Sequence, residues 1–206
     1  SLSIRMTPKT LGLAIFVTFI WGLNFSCAKF ILDHIPTFTT LTLRFSIIAL
    51  LLIPFFRKPP IPYRLLIPLS FCFGIGHLGM MYFALELKLP ASVVVVFDQS
   101  SAPMVILLSI FLLKERVVFW NILGVIVALI GMGLLYQFPA EIYSILGYFL
   151  AFFGGLFWAG YCLILKLSPK CNAFSLLAWI SLLNIPALIL ISLWLEPGAL
   201  LSLPTA

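Results

Sequence analysis

Residues 11–32 read LGLAIFVTFIWGLNFSCAKFIL, an apolar run with one charge, Lys29, and no proline. As a helix rising 1.5 Å per residue, it is long enough to cross a hydrocarbon core of about 30 Å. Six further runs follow at Phe38–Phe56, Leu65–Leu87, Ala91–Leu113, Val117–Tyr136, Ile145–Leu167 and Ala173–Leu195. The joints between them are short and hold the breakers and charges, such as Asp33-His34-Ile35-Pro36 and Lys88-Leu89-Pro90. None is long enough to form a soluble domain.

Composition agrees with these runs. AVILMFWYC residues make up 63% of the chain and charged residues 9%, against about 45–50% and ~25% in a soluble domain. Such a chain cannot cover its surface with polar groups, so lipid is its solvent. The expected fold is all-α, a polytopic transmembrane bundle with seven spans. A cleaved signal peptide fits the first run poorly. Arg5 and Lys9 resemble a basic leader, but the apolar stretch exceeds the 7–15 residues typical of that role and no A-x-A-like site follows it.

The net charge of +6 reads as topology, with no nucleic-acid partner expected. With the amino terminus cytoplasmic, Arg5, Lys9, Arg57, Lys58, Arg64, Lys114, Arg116, Lys166 and Lys170 all fall on the cytoplasmic side. Lys29 and Lys88 fall outside and Arg44 lies within a span. This is the positive-inside pattern.

The first and sixth runs superpose without a gap. Trp21-Gly22 falls on Trp158-Ala159, Asn24 on Tyr161 and Lys29 on Lys166, all with one displacement. Five helices from one copy to the next reverse the second in the membrane, giving an inverted repeat. Residues 1–136 are then a first five-helix repeat and residues 145–206 an incomplete second. Seven spans are present of an expected ten, and the tail containing Pro197 and Pro204 reads as a loop towards a further span.

Several motifs carry a family resemblance. They are Phe19-Ile20-Trp21-Gly22-Leu23-Asn24-Phe25, Leu43-Arg44-Phe45, Tyr82-Phe83-Ala84-Leu85, Leu112-Leu113-Lys114-Glu115-Arg116, Leu123-Gly124-Val125 and Gly131-Met132-Gly133. In order and spacing the chain resembles the EamA-type family of the drug/metabolite transporter superfamily, over the whole first repeat and two helices of the second. The resemblance implies ten helices in two inverted repeats, a solute cavity between them, and alternating access. It also implies a small organic solute (an amino acid, amine or drug-like molecule), often exported, and a multi-pass location in the bacterial inner membrane. Asp98-Gln99 departs from what the family leads one to expect throughout and is a candidate for tuning substrate choice.

Charges and polar breaks at membrane depth mark candidate sites, because they survive there only when buried in protein or lining a wet cavity. Asp98 lies near the middle of the fourth span, in Phe97-Asp98-Gln99-Ser100-Ser101-Ala102-Pro103. Pro103 has no N–H to give the Gln99 carbonyl, so a broken turn is expected there. A buried acid that holds helices together, protonated or paired with Arg44, is the structural alternative. His77 sits among glycines in Gly74-Ile75-Gly76-His77-Leu78-Gly79, where another backbone is expected to approach closely. Asp98 and His77 are the candidate proton-coupling groups. Lys29 and Glu86 are expected to snorkel to the interface. Arg44 is expected to be a structural charge paired with loop carbonyls or Asp33.

Thr18, Trp21, Asn24, Phe25 and Ala28 share one face of the first helix, as Trp158 and Tyr161 do on the sixth. Both faces are expected to look into one cavity. The candidate substrate-binding residues are therefore Trp21, Asn24, His77, Tyr82, Asp98, Gln99, Trp158 and Tyr161. An aromatic cavity with one carboxylate suits a cationic or zwitterionic solute. With no H-E-x-x-H, no G-x-S-x-G and no pair of carboxylates on one face, no catalytic residues, metal or cofactor are expected. The cysteines Cys27, Cys72, Cys162 and Cys171 have no metal-ligand spacing and read as small packing residues. The remaining alternative is a membrane scaffold or lipid-handling protein, with lipid as its partner in either case.

Overall fold

The computed structural model describes residues 8–114, 118–135 and 142–199. They form seven helices in chain order: α1 (Pro8–Leu32), α2 (Thr37–Leu52), α3 (Tyr63–Glu86), α4 (Ala91–Leu113), α5 (Phe119–Leu135), α6 (Ile142–Leu167) and α7 (Ala173–Leu195). Five are long and apolar enough to cross a membrane, while α2 and α5 are shorter. Arg5, Arg116, Val117, Tyr136, residues 137–141 and the tail from 200 onward lie outside the described residues.

Proline sets several boundaries. Pro36, Pro62 and Pro90 precede the first residues of α2, α3 and α4 with extended ψ values of 159°, 148° and 135°. A helix start leaves its first N–H groups without intrahelical partners, so the proline loses nothing there. Pro54 ends α2 at Leu52, four residues short of the Phe56 expected from hydropathy. It has no N–H for the Leu50 carbonyl and its ring opposes continuation of the turn. Asn172 caps α7 by accepting the Phe174 N–H at 2.8 Å on its side-chain oxygen.

α2 and α7 lie along one another in opposite directions. At one end Thr39 and Ser192 hydroxyls meet at 2.8 Å; at the other Phe56 stacks on Phe174 with ring centroids 5.4 Å apart. α6 packs across α3 and both halves of α4, and α5 rests on α4. α1 touches α2, the last turns of α3 and the first half of α4. Its buried apolar residues are Phe25, Ala28 and Leu32, joined in the core by Leu41, Phe45, Met81 and Leu85. A second cluster, Ile61, Leu66, Leu69, Leu176 and Ile180, ties the start of α3 to α7.

Two helices depart from regular geometry. α3 widens into a π-type helix over Cys72–Gly79, and α4 is interrupted at Ser100 between segments Ala91–Gln99 and Ser101–Leu113. The break falls where Pro103 predicts it, and the Ser100 hydroxyl donates to the Phe97 carbonyl beside it. The glycines of the wide turn are approached by side chains and not by the backbone expected from the sequence. A Cβ on Gly74 would overlap the Asn184 side chain, and one on Gly76 the Phe157 ring. Backbone approach occurs instead at Gly155 in α6, where a Cβ would stand 2.9 Å from the Phe97 carbonyl oxygen.

Candidate functional site

The irregular turns of α3 and α4 both pack on α6, and each delivers one titratable group. His77 comes from the wide turn of α3 and Asp98 from the residue pair before the break in α4. Both side chains are 3% exposed, and His77 Nε2 lies 3.5 Å from Asp98 Oδ1. The far ring nitrogen, Nδ1, is 3.0 Å from the Gly154 carbonyl. A carbonyl only accepts, so Nδ1 carries a proton and Nε2 faces the carboxylate. The separation from Nε2 is an ion-pair distance, and Asp98 Oδ1 has no hydrogen-bond partner among the described residues.

Two cavities meet around this pair. The larger, about 410 Å³, is lined by residues of α1, α2, α3 and α6, including Trp21, Asn24, Arg44, Phe73, His77 and Trp158. The smaller, about 320 Å³, is lined by Thr18, Trp21, Asp98, Gln99, Ser101 and Trp158 among others. Val17, Trp21 and Trp158 line both. The two indoles stand edge to face, with centroids 5.9 Å apart and planes at 85°. Edge-to-face contact is a favoured arrangement of aromatic quadrupoles.

Trp158 is the hub of the aromatic cluster. Its ring lies 4.7 Å from that of His77, 6.0 Å from Phe73 and 5.1 Å from Tyr161, on which it stacks. Tyr161 thus supports Trp158 from behind and lines neither cavity. Tyr82 is likewise buried outside the linings, beside Asn24 and Arg44. Of the eight residues proposed from sequence to bind solute, Trp21, Asn24, His77, Asp98, Gln99 and Trp158 line one cavity or the other. Phe16, Val17, Phe73 and Leu78 join them in the larger cavity. Their faces follow from helical spacing, but an apolar residue facing a cavity and one facing a neighbour read alike in sequence.

Arg44 has different partners from those expected. Asp33 pairs with Lys88 at 2.8 Å, and Asp98 faces His77. Arg44 Nη1 donates instead to Asn24 Oδ1 at 2.9 Å and to the Tyr82 hydroxyl oxygen. Its guanidinium carbon also lies 5.9 Å from the Tyr82 ring centroid. Glu86 does not simply snorkel; its Oε2 accepts the Thr37 N–H at 2.9 Å. Glu196 supplies the neighbouring acceptors, taking Phe38 N–H at 2.7 Å and Thr39 N–H at 2.8 Å. Together the two carboxylates satisfy the free donors at the start of α2, where the helix dipole also favours negative charge.

Comparison with known proteins identifies the family of the chain. The model of the EamA-like transporter family matches residues 8–137. A "Probable amino-acid metabolite efflux pump" of Salmonella typhimurium (strain LT2) is 28% identical over 197 residues, covering 93% of this chain and 66% of that protein. A protein with the same description from Escherichia coli (strain K12) is 26% identical, covering 94% of this chain and 67% of its own length. The chain therefore spans about two thirds of the curated relatives it matches. No solved structure is significantly similar to it. The apolar helices and these matches make the chain an integral, multi-pass protein of the inner membrane.

Proposed function

The chain belongs to the EamA-like transporter family, and from that premise we propose that it moves a small organic metabolite across the membrane by alternating access, in the direction of export. The solute passes through the two cavities that share Trp21 and Trp158. Indole faces hold its apolar or cationic part, while Asp98 and Gln99 meet its polar part. The observation that carries this reading is buried Asp98 in a cavity wall, its Oδ1 making no hydrogen bond and meeting His77 Nε2 only at 3.5 Å. An unsatisfied buried acceptor is costly, and a solute donor relieves that cost.

His77 and Asp98 together hold the coupling proton. With Nδ1 committed to Gly154, a single proton between Nε2 and the carboxyl makes the pair neutral overall. Its loss leaves a carboxylate facing an imidazole lone pair. Solute ammonium replaces that proton as the partner of Asp98, so one displaces the other.

Two inverted five-helix repeats provide the moving parts, with the amino terminus cytoplasmic. Support comes from contacts between equivalent helices. The tryptophans that superpose in sequence touch, and the second helices of the two copies, α2 and α7, run antiparallel against one another. Polarity supports the orientation. The end holding Asp33, Glu86 and Glu196 carries Lys29 and Lys88, whereas Arg57, Lys58, Arg64, Lys166 and Lys170 gather at the opposite end.

The two relatives are described as amino-acid metabolite efflux pumps, and an amino acid is the solute class we carry over. A thermal-shift screen of the purified protein with amino acids, amines, organic cations, nucleosides and sugar phosphates tests it. A ligand at 100 times its Kd adds about 2.7 kcal/mol of apparent stability. Amino acids are expected to raise the melting temperature, and Asp98→Asn to remove the shift. A shift that survives Asp98→Asn undiminished would move the site away from Asp98.

A further inference from the structure

Arg44 is a charge with unused donors. A guanidinium has five N–H groups, and its side-chain hydrogen bonds to Asn24 and Tyr82 both come from Nη1. Both acceptors are neutral, and no carboxylate lies within salt-bridge distance of Arg44 among the described residues. The acids that a structural arginine would take as partners are committed elsewhere, Asp33 to Lys88 and Asp98 opposite His77. Arg44 is half-buried and lines the larger cavity, where an unneutralised cation is expensive without an anion.

The two cavities thus carry opposite charges on either side of the Trp21–Trp158 contact. Arg44 lies in the larger and Asp98 in the smaller. Building on the reading of these cavities as the solute site, we infer that Arg44 is a specificity-determining residue that binds a carboxylate on the solute. The cavities therefore select molecules bearing both an anionic and a cationic group, in preference to simple amines. Asn24 and Tyr82 fix the guanidinium from one side and leave its remaining edge for bidentate recognition, the mode in which arginine reads a carboxylate. Phe16, Val17, Ile20 and Leu78 give that cavity an apolar wall for the side group.

Thermal-shift titration of the full protein with L-leucine, L-phenylalanine and L-methionine, each against its carboxamide, tests this. The amides keep the ammonium and side group and lose the carboxylate charge. The free acids are expected to bind roughly ten- to a hundredfold more tightly, the range of a charged hydrogen bond. Arg44→Gln is expected to bring each acid down towards the level of its amide, the acids losing at least tenfold more than the amides. Arg44→Lys is expected to restore part of the preference. Equal binding of acids and amides by the unmodified protein would overturn the role of Arg44 and leave the cavity reading standing; that comparison needs no variant to fold. An equal loss of acids and amides in Arg44→Gln would assign Arg44 to structure alone. Absence of binding by acids and amides alike would overturn both the inference and the reading beneath it.

Discussion

His77 presents Nε2 to Asp98 Oδ1 at 3.5 Å while its Nδ1 is tied to the Gly154 carbonyl at 3.0 Å. The two groups come from the two irregular stretches of the bundle, the wide turn of α3 and the broken turn of α4. α6 holds them together, its Gly154 carbonyl orienting the imidazole and its Trp158 ring flanking it. A pair that shares one proton behaves as a unit. His77→Gln and Asp98→Asn are therefore each expected to abolish proton-coupled solute movement, and the double variant to be no worse than either single one. Additive losses in a double-mutant comparison would show that the residues act independently.

Glu196 accepts Phe38 N–H, Thr39 N–H and the Thr39 hydroxyl, the last at 2.7 Å, and so joins the end of α7 to the start of α2. Its truncation leaves those donors to water or to nothing. Glu196→Ala is expected to cost about 1–2 kcal/mol, the usual scale of a lost helix cap, and to lower the melting temperature in detergent. Glu196→Gln keeps an acceptor and should recover part of the loss. Unchanged melting in Glu196→Ala would mean that the cap contributes nothing.

Glycine substitutions separate close packing from open helix surface. A Cβ on Gly76 meets the Phe157 ring, whereas one on Gly124 in α5 has nothing within 4 Å. Gly76→Ala is expected to destabilise by ~1–3 kcal/mol through overpacking, and Gly124→Ala to be neutral or slightly stabilising through helix propensity. Melting curves of the two variants check the contrast.

Lys88 donates to Asp33 at 2.8 Å and holds its carboxyl below the usual carboxylate range. A carboxyl lowered in the folded state stabilises above its unfolded pKa and loses that contribution as pH falls through its folded pKa. The two side chains are 74% and 49% exposed, so solvent screens the pair. Asp33→Asn is expected to leave the melting temperature unchanged at neutral pH and at pH 3 alike. A clear drop at neutral pH would show that this turn matters more than its exposure implies.

The sequence and the structure agree most closely where local chemistry decides. Ala91–Leu113 and Ala173–Leu195 begin where the sequence predicts, because Pro90 and Asn172 precede those helices as their N-caps. The polar turn at Asp98 is also readable, since Pro103 removes a specific hydrogen bond. Hydropathy overran α2 because an apolar count passes over Pro54. Contacts that depend on how helices slide past one another were not legible. Asn184 in α7 donates to the Ser70 carbonyl of α3 at 2.9 Å, and Glu196 reaches α2 across most of the chain's length. Helical spacing assigns a residue to a face but does not name its partner. The match of Tyr161 to Asn24 predicts a place facing the cavity, yet Tyr161 stacks behind Trp158.

Solute counterflow in proteoliposomes tests the central claim most directly. Vesicles loaded with unlabelled amino acid are diluted into a trace of labelled amino acid, and uptake is followed for the unmodified protein, Asp98→Asn and Trp194→Phe. Trp194 is 81% exposed and lies near the end of α7, a helix that lines neither cavity. Saturable uptake that Asp98→Asn reduces at least tenfold and Trp194→Phe leaves intact is the predicted result. Uptake equal in all three would contradict a solute path past Asp98.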